Sequence, residues 1–186
     1  MLTIGQLANY VGVSTKTIRV YHAKGLLPEP VRDASGYRRY DAQAIIDIAR
    51  TRVALDMLAA EAILADASGR RLELVREAWD DYNRLPIDAD PVTSHEAHIA
   101  FHRRIWEASE NSLLIRLWPV TEAHLTIALA RDQTTRDDPR RAHDVHEAVV
   151  DALIAGDLDQ VRVALIAHTI DSAEELVTML AAFDER

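Results

Sequence analysis

The chain is predicted to be all-α: two short helices and a small two-stranded hairpin first, then an antiparallel bundle of about six helices. Three observations carry this expectation. From residue 41 to 68 no Gly or Pro interrupts a run with apolar residues at helical spacing, and similar runs follow, separated by "PIDADP", "DQTTRDDP" and Gly156-Asp157. Cysteine is absent, so disulfides and thiolate metal sites are excluded, and a reducing compartment is the simplest home. Residues 1–50 carry seven Lys/Arg against four Asp/Glu, whereas the remainder is strongly acidic within a net charge of -9. A basic head on an acidic body implies two modules with different partners, and the boundary is expected between residues 47 and 48. Neither a signal peptide nor an apolar run long enough to span a bilayer is recognised, so no membrane partner and a cytoplasmic location are expected.

In the head, Ile4, Leu7, Ala8 and Val11 form the apolar stripe of a first helix, and Gly12 ends it. Ser14 is the N-cap expected for a second helix starting at Thr15. Ile18 and Tyr21 face inward, while Thr15, Lys16, Thr17 and Arg19 crowd the start. Small polar and cationic residues at that point can reach base edges and phosphates, as in a helix-turn-helix bound to double-stranded DNA. Ser35-Gly36 then makes a turn between short extended pieces, followed by Tyr37, Arg38, Arg39 and Tyr40. Arginines beside aromatics suit a wing lying on the phosphate backbone, completing a winged helix-turn-helix.

The blocks "TIGQLA", "GVSTKTIRVYHAKGLL", Arg32 and "GYRRYD" resemble the MerR family of bacterial transcription regulators over residues 2–45. The resemblance implies DNA contacts from Ser14, Thr15, Lys16, Thr17, Arg19 and Tyr21 of the second helix, and from Tyr37, Arg38 and Arg39 of the wing. His22 departs from the acid usual after the tyrosine. The long dimerising coiled coil usual in that family does not follow.

Instead the bundle begins. Helices are expected over 41–68, over 69–85, over about 93–109 with Asn111 interrupting, over 112–131 with a kink at Pro119, over 140–156, and over 157–183 as one piece. Histidines lie on the core-facing lines of three of them: His95, His98 and His102; His143 and His146; and His168. A buried neutral imidazole needs both a donor and an acceptor partner. Two readings are open: separately hydrogen-bonded core residues, or ligands sharing one cation, for which nitrogen donors suit zinc, nickel, copper or iron. His95 and His143 fall at the rim of the group, and His124 is read as an ordinary residue.

The blocks "RVALDMLAAEA", "HIAFHRRIWEASENSLLIRLW" and "VHEAVVDALIAGDLDQVRVALIAHTIDSAEEL" resemble the FCD ligand-binding domain of the FadR branch of GntR regulators, over about residues 50–182. That resemblance implies a helical bundle in which a divalent metal is held by an Asp, a His four residues later and two further His. The matching positions are His98, His102, His146 and His168. His98 stands where metal-binding members carry Asp, and Glu110 where Gly is usual. Four neutral imidazoles leave a +2 charge uncompensated, so a small carboxylate effector is expected beside the ion, with zinc or nickel as the cofactor. Possible pocket residues are His95, His143 and Arg52.

The expected function is that of a homodimeric, ligand-responsive repressor rather than an enzyme, its two modules joined rigidly inside the helix around residues 46–52. Two alternatives remain at this point: a metal-free regulator whose histidines bind the anion directly, and an all-α metal hydrolase, since His143-Asp144 faintly resembles the HD phosphohydrolases.

Overall fold

Apolar residues spaced for helices bury one face each, and the packing that results can be followed element by element. The computed structural model describes residues 4, 5, 8, 13–27, 31, 32, 38, 39, 42–86, 88–135 and 139–184. In the head, α1 (Thr15–Ala23) begins at Ser14, whose hydroxyl oxygen accepts the amide of Thr17 at 3.1 Å. Gly25, with φ +68°, ends the helix: its amide bonds to the His22 carbonyl, and the Leu26 amide to that of Tyr21. The chain then turns so that Leu27 joins Ile18 and Ala8 in a small core. The fourth buried member of that core is Ala123, which belongs to the bundle.

Two short strands follow, β1 (Val31–Arg32) and β2 (Arg38–Arg39), antiparallel with Val31 opposite Arg39 and Arg32 opposite Arg38. From residue 42 the described chain is helical: α2 (Ala42–Leu64), α3 (Arg70–Asn83), α4 (Pro91–Ala108), α5 (Ser112–Thr135), α6 (Pro139–Ala155), α7 (Leu158–Ile166), a π-helical turn (Ala167–Asp171) and α8 (Ser172–Asp184). None of these helices is long and apolar enough to cross a membrane.

The expected fold class is therefore corrected in two places. The two-stranded wing is not seen as such: among the described residues, extended pairing amounts to two residue pairs within an otherwise helical chain. A two-stranded ladder of that length is marginal as an independent element. The bundle, in turn, has seven helices among the described residues, not about six, because the helix predicted over 157–183 is divided by the π turn. Apolar periodicity runs unbroken through that segment, so nothing local marks the inserted residue.

Helix α2 is the spine of the bundle, packing against α4, α5, α7, α8 and the π turn. Its Val53, Met57, Ala60 and Ile63 enter the main core with Phe101, Ile105, Val150, Leu153 and Leu165. Its Ala59 enters a second cluster around Trp106, Leu114 and Trp118. A helix apolar around most of its circumference is a central one. Helix α4 is capped by Asp90, which accepts the amides of Val92 and Thr93, with Pro91 at the first helical position where no amide partner is lost. At its other end Glu110 holds a left-handed φ of +54°, and its carboxylate accepts from Arg71 at 2.8 Å. The side chain of Asn111 then caps α5 by accepting the amides of Leu113 and Leu114. Helix α5 continues through Pro119.

Candidate metal centre and effector cavity

His98 and His102 stand one turn apart on α4, His146 comes from α6, and His168 from the π turn. All four are buried, and one ring nitrogen of each lies within 4.8 Å of those of the other three. The π turn matters to this placement. Its wider winding shifts the facing of the residues that follow, and His168 sits within it, buried with Thr169.

The hydrogen bonds define the proton positions. His146 donates from Nδ1 to the Ala142 carbonyl in the preceding turn, so its Nε2 is left with a lone pair. The Arg52 guanidinium donates to His102 Nδ1 at 2.8 Å, so a neutral His102 carries its proton on Nε2. That Nε2–H is 3.0 Å from His146 Nε2 and 3.1 Å from His168 Nε2. His168 Nδ1 is buried and has no partner among the described residues. His102 and His168 stack with their rings 12° from parallel.

Burial, before any other cause, pushes the imidazoles of His98, His102 and His168 well below the ordinary histidine range, and that of His146 down to about 4. The nearby Arg52 charge acts in the same direction on all four. The cluster is therefore neutral at pH 7, the protonation state a metal ligand needs. A divalent ion fits the donor set: four neutral nitrogens, one already fixed in the ligating tautomer by a backbone carbonyl, and one ring with an orphaned buried nitrogen. The constraint is His102, whose proton must pass from Nε2 to Nδ1, with Arg52 withdrawn, before Nε2 is a ligand.

The same depressed values make an acid-stability prediction. Unfolded histidines take up protons near pH 6.5, whereas His146 in the fold does so only near 4. In that window the unfolded chain binds more protons, so stability falls as pH drops, by up to about 1.4 kcal/mol per pH unit for each such histidine. Asp56, raised by burial, opposes this only below its own raised value. Chelator-treated protein is thus expected to show a clearly lower urea midpoint at pH 5 than at pH 7.5, and equal midpoints would contradict a neutral buried cluster.

Arg52 is itself buried and paired. Its Nε lies 3.2 Å from Asp56 one turn along α2, and Asp56 also accepts from Trp106 Nε1 at 2.6 Å. The cluster opens on a cavity of about 730 Å³. Arg52, His98, His146 and His168 line it, with Arg141, whose guanidinium donates to Ser172 and Glu175. The cavity extends along α5 to Gly25 and Leu26 of the head, where His124 donates from Nε2 to the Leu26 carbonyl at 2.7 Å.

The structure thus brings His98, His102, His146, His168 and Arg52 to one place. It does not bring His95 or His143 to the cavity wall: His95 is buried elsewhere on α4, and His143 pairs with Asn83 at 2.6 Å against the Trp79 ring. In the head, Ser14, Thr15, Lys16 and Arg19 are exposed, and Thr17 and Tyr21 are half-buried. Arg38 and Arg39 form β2, while Tyr37 lies outside the described residues. Sequence reasoning missed Asp56, Arg141 and His124. Asp56 had a usable signal, an acid four residues beyond Arg52 on one helix face. The other two meet their partners only through tertiary packing.

Comparison with known proteins places this geometry in context. The FCD domain matches residues 47–171, and the MerR family regulatory protein matches residues 3–40. Over 169 residues the chain is 27% identical to a protein of Paenarthrobacter nicotinovorans named "Probable D-xylose utilization operon transcriptional repressor", covering 88% of this chain and 73% of that one. Over 93 residues it is 37% identical to the HTH-type transcriptional regulator CueR of Vibrio cholerae, covering 45% of this chain and 67% of that protein. In fold it is similar to the crystal structure of a GntR family transcriptional regulator from Pseudomonas syringae pv. tomato, with a TM-score of 0.58 at 15% identity over 99% of this chain and 78% of that one.

Proposed function

Because this chain belongs to the FCD domain family and is a DNA-binding transcriptional regulator rather than an enzyme, we propose that it is a homodimeric repressor whose bundle, residues 48–186, senses a small carboxylate beside a divalent cation. The observation that carries this reading is the convergence of four buried, neutral imidazoles on a cavity that also reaches the head. His98, His102, His146 and His168 would hold the ion, and an all-nitrogen donor set favours zinc or nickel over manganese. When bound, the ion supplies positive charge that a carboxylate complements.

The remaining work falls to the chain's own side chains. Arg52 offers a guanidinium for the carboxylate, and the Ala142 carbonyl orients His146. Ile45, Ile48 and Arg52, all on the unbroken helix α2, line the cavity. A ligand acts only through different affinities for two arrangements of the molecule, and a continuous helix that follows the head in the chain and lines the cavity is a means of linking them. Thr15, Lys16, Thr17 and Arg19 at the exposed start of α1 would contact DNA with Ser14 as the cap, joined by Tyr21, Tyr37, Arg38 and Arg39, and two heads would read two half-sites.

One observation favours a metal-free variant of this reading. Arg52, His102, His146 and His168 form a continuous hydrogen-bonded chain, in which Arg52 offers an anion its charge. Nothing comparable supports a hydrolase at His143-Asp144, where Asp144 and Glu147 are exposed and His143 is held by Asn83.

The test is fluorescence anisotropy on duplexes selected by the full chain from a random library. Lys16→Ala and Arg19→Ala should each weaken binding across all selected sequences and lower the slope of log K against log salt by about one. Failure of the wild type to retain any duplex would refute DNA reading by this head.

A further inference from the structure

We propose that the effector is not a short polar acid but an amphipathic carboxylate, an acid with an extended apolar body whose far end lies against Leu26 of the head. This rests on the reading of the cavity as the effector site. Three observations carry it.

The first is size. At about 730 Å³ the cavity falls in the range that encloses a drug-sized ligand, well beyond a cation and a two- or three-carbon acid. The second is polarity. Beside Arg52 and the imidazoles, and with a few polar residues such as Asp47, Thr51 and Thr121, the wall is built largely of aliphatic side chains: Leu55, Leu117, Val120, Leu125, Val145 and Leu176. A short acid would leave that aliphatic wall wet, and each methylene that covers it strengthens binding about fourfold. The third is the far end. His124 spends its Nε2–H on the Leu26 carbonyl, and its Nδ1 is buried with no partner among the described residues. In the neutral ring that nitrogen is an acceptor, matched by a hydroxyl or N–H donor at the end of the ligand.

The position of that end has a consequence for regulation. Leu26 directly precedes Leu27, which with Ile18 fills the head's core against Ala123 of α5. A body long enough to reach Leu26 presses where the head is seated on the bundle, while a short acid does not.

The experiment is calorimetric titration of the full-length protein, zinc-loaded and chelator-treated, with acetate, butyrate, hexanoate, octanoate and 8-hydroxyoctanoate. From butyrate to octanoate the dissociation constant should fall by up to ~250-fold, about fourfold per methylene. The terminal hydroxyl should add a further gain, lost in His124→Phe. Val120→Trp, which fills the apolar wall, should abolish the gain from hexanoate to octanoate, and Leu117→Trp serves if the first variant does not fold. Affinity that is flat or falling with length overturns the proposal and leaves a short-acid sensor standing. Absence of binding by every carboxylate, with and without zinc, overturns both readings. A length series equally steep and equally tight without zinc supports the apolar body and rejects a part for the metal in binding it.

Discussion

Protein purified without an affinity tag or chelator is expected to carry about one zinc or nickel ion per chain, and the His102→Ala/His168→Ala variant close to none. The size of this effect follows from the cluster's architecture. His102 is the hub, within 3.0 Å of His146 and 3.1 Å of His168. Removing it with His168 leaves only His98 and His146, two neutral nitrogens next to the Arg52 charge. Among the described residues no carboxylate joins this ligand group, and the buried Asp56 is already engaged by Arg52 and Trp106. Elemental analysis of both proteins, repeated after incubation with zinc and nickel and desalting, decides the matter. A wild type that takes up no metal under those conditions would sink the site as a cation site and leave the Arg52-anchored hydrogen-bond chain as its purpose.

Asp56→Ala is expected to lower stability by about 3–5 kcal/mol, the cost of removing one partner from a buried ion pair. Both Arg52 and Asp56 are almost wholly buried, and burial acts against the charged form of each, lowering the arginine and raising the carboxyl. Loss of the carboxylate leaves the guanidinium with His102 as its partner among the described residues, and also deprives Trp106 Nε1 of its acceptor. Asp56→Asn keeps an acceptor for Trp106 and should lose less. Arg52→Met with Asp56→Leu removes both charges and should recover much of the loss, as replacement of buried pairs by apolar residues often does. Urea unfolding of the apo proteins measures all three, and a loss under 1 kcal/mol for Asp56→Ala would mean that the pair is not desolvated as drawn.

Both effects depend on residues whose visibility in the sequence differs. The histidines were visible because helices α4, α6 and the segment after α7 each place an imidazole among apolar residues at helical spacing. The head and the bundle were recognisable as MerR-like and FCD-like because their marks are short contiguous blocks. Arg52 was visible as a residue without a partner. Its pairing with Asp56 was available from the four-residue spacing, but its bond to His102, fifty positions away, was not.

What the sequence determined by itself is whatever depends on neighbours within a turn or two: the helical period of each segment, the cap at Ser14, and the supply of imidazoles on inward faces. Those are local choices of backbone and side chain, read off spacing and residue type. Tertiary structure alone decided the π turn that divides the last predicted helix and carries His168, and the meeting of His124 with Leu26, ninety-eight positions apart. Each is a compromise among elements distant in the chain, made where packing energy outweighs local preference, and no window of sequence contains both sides of it.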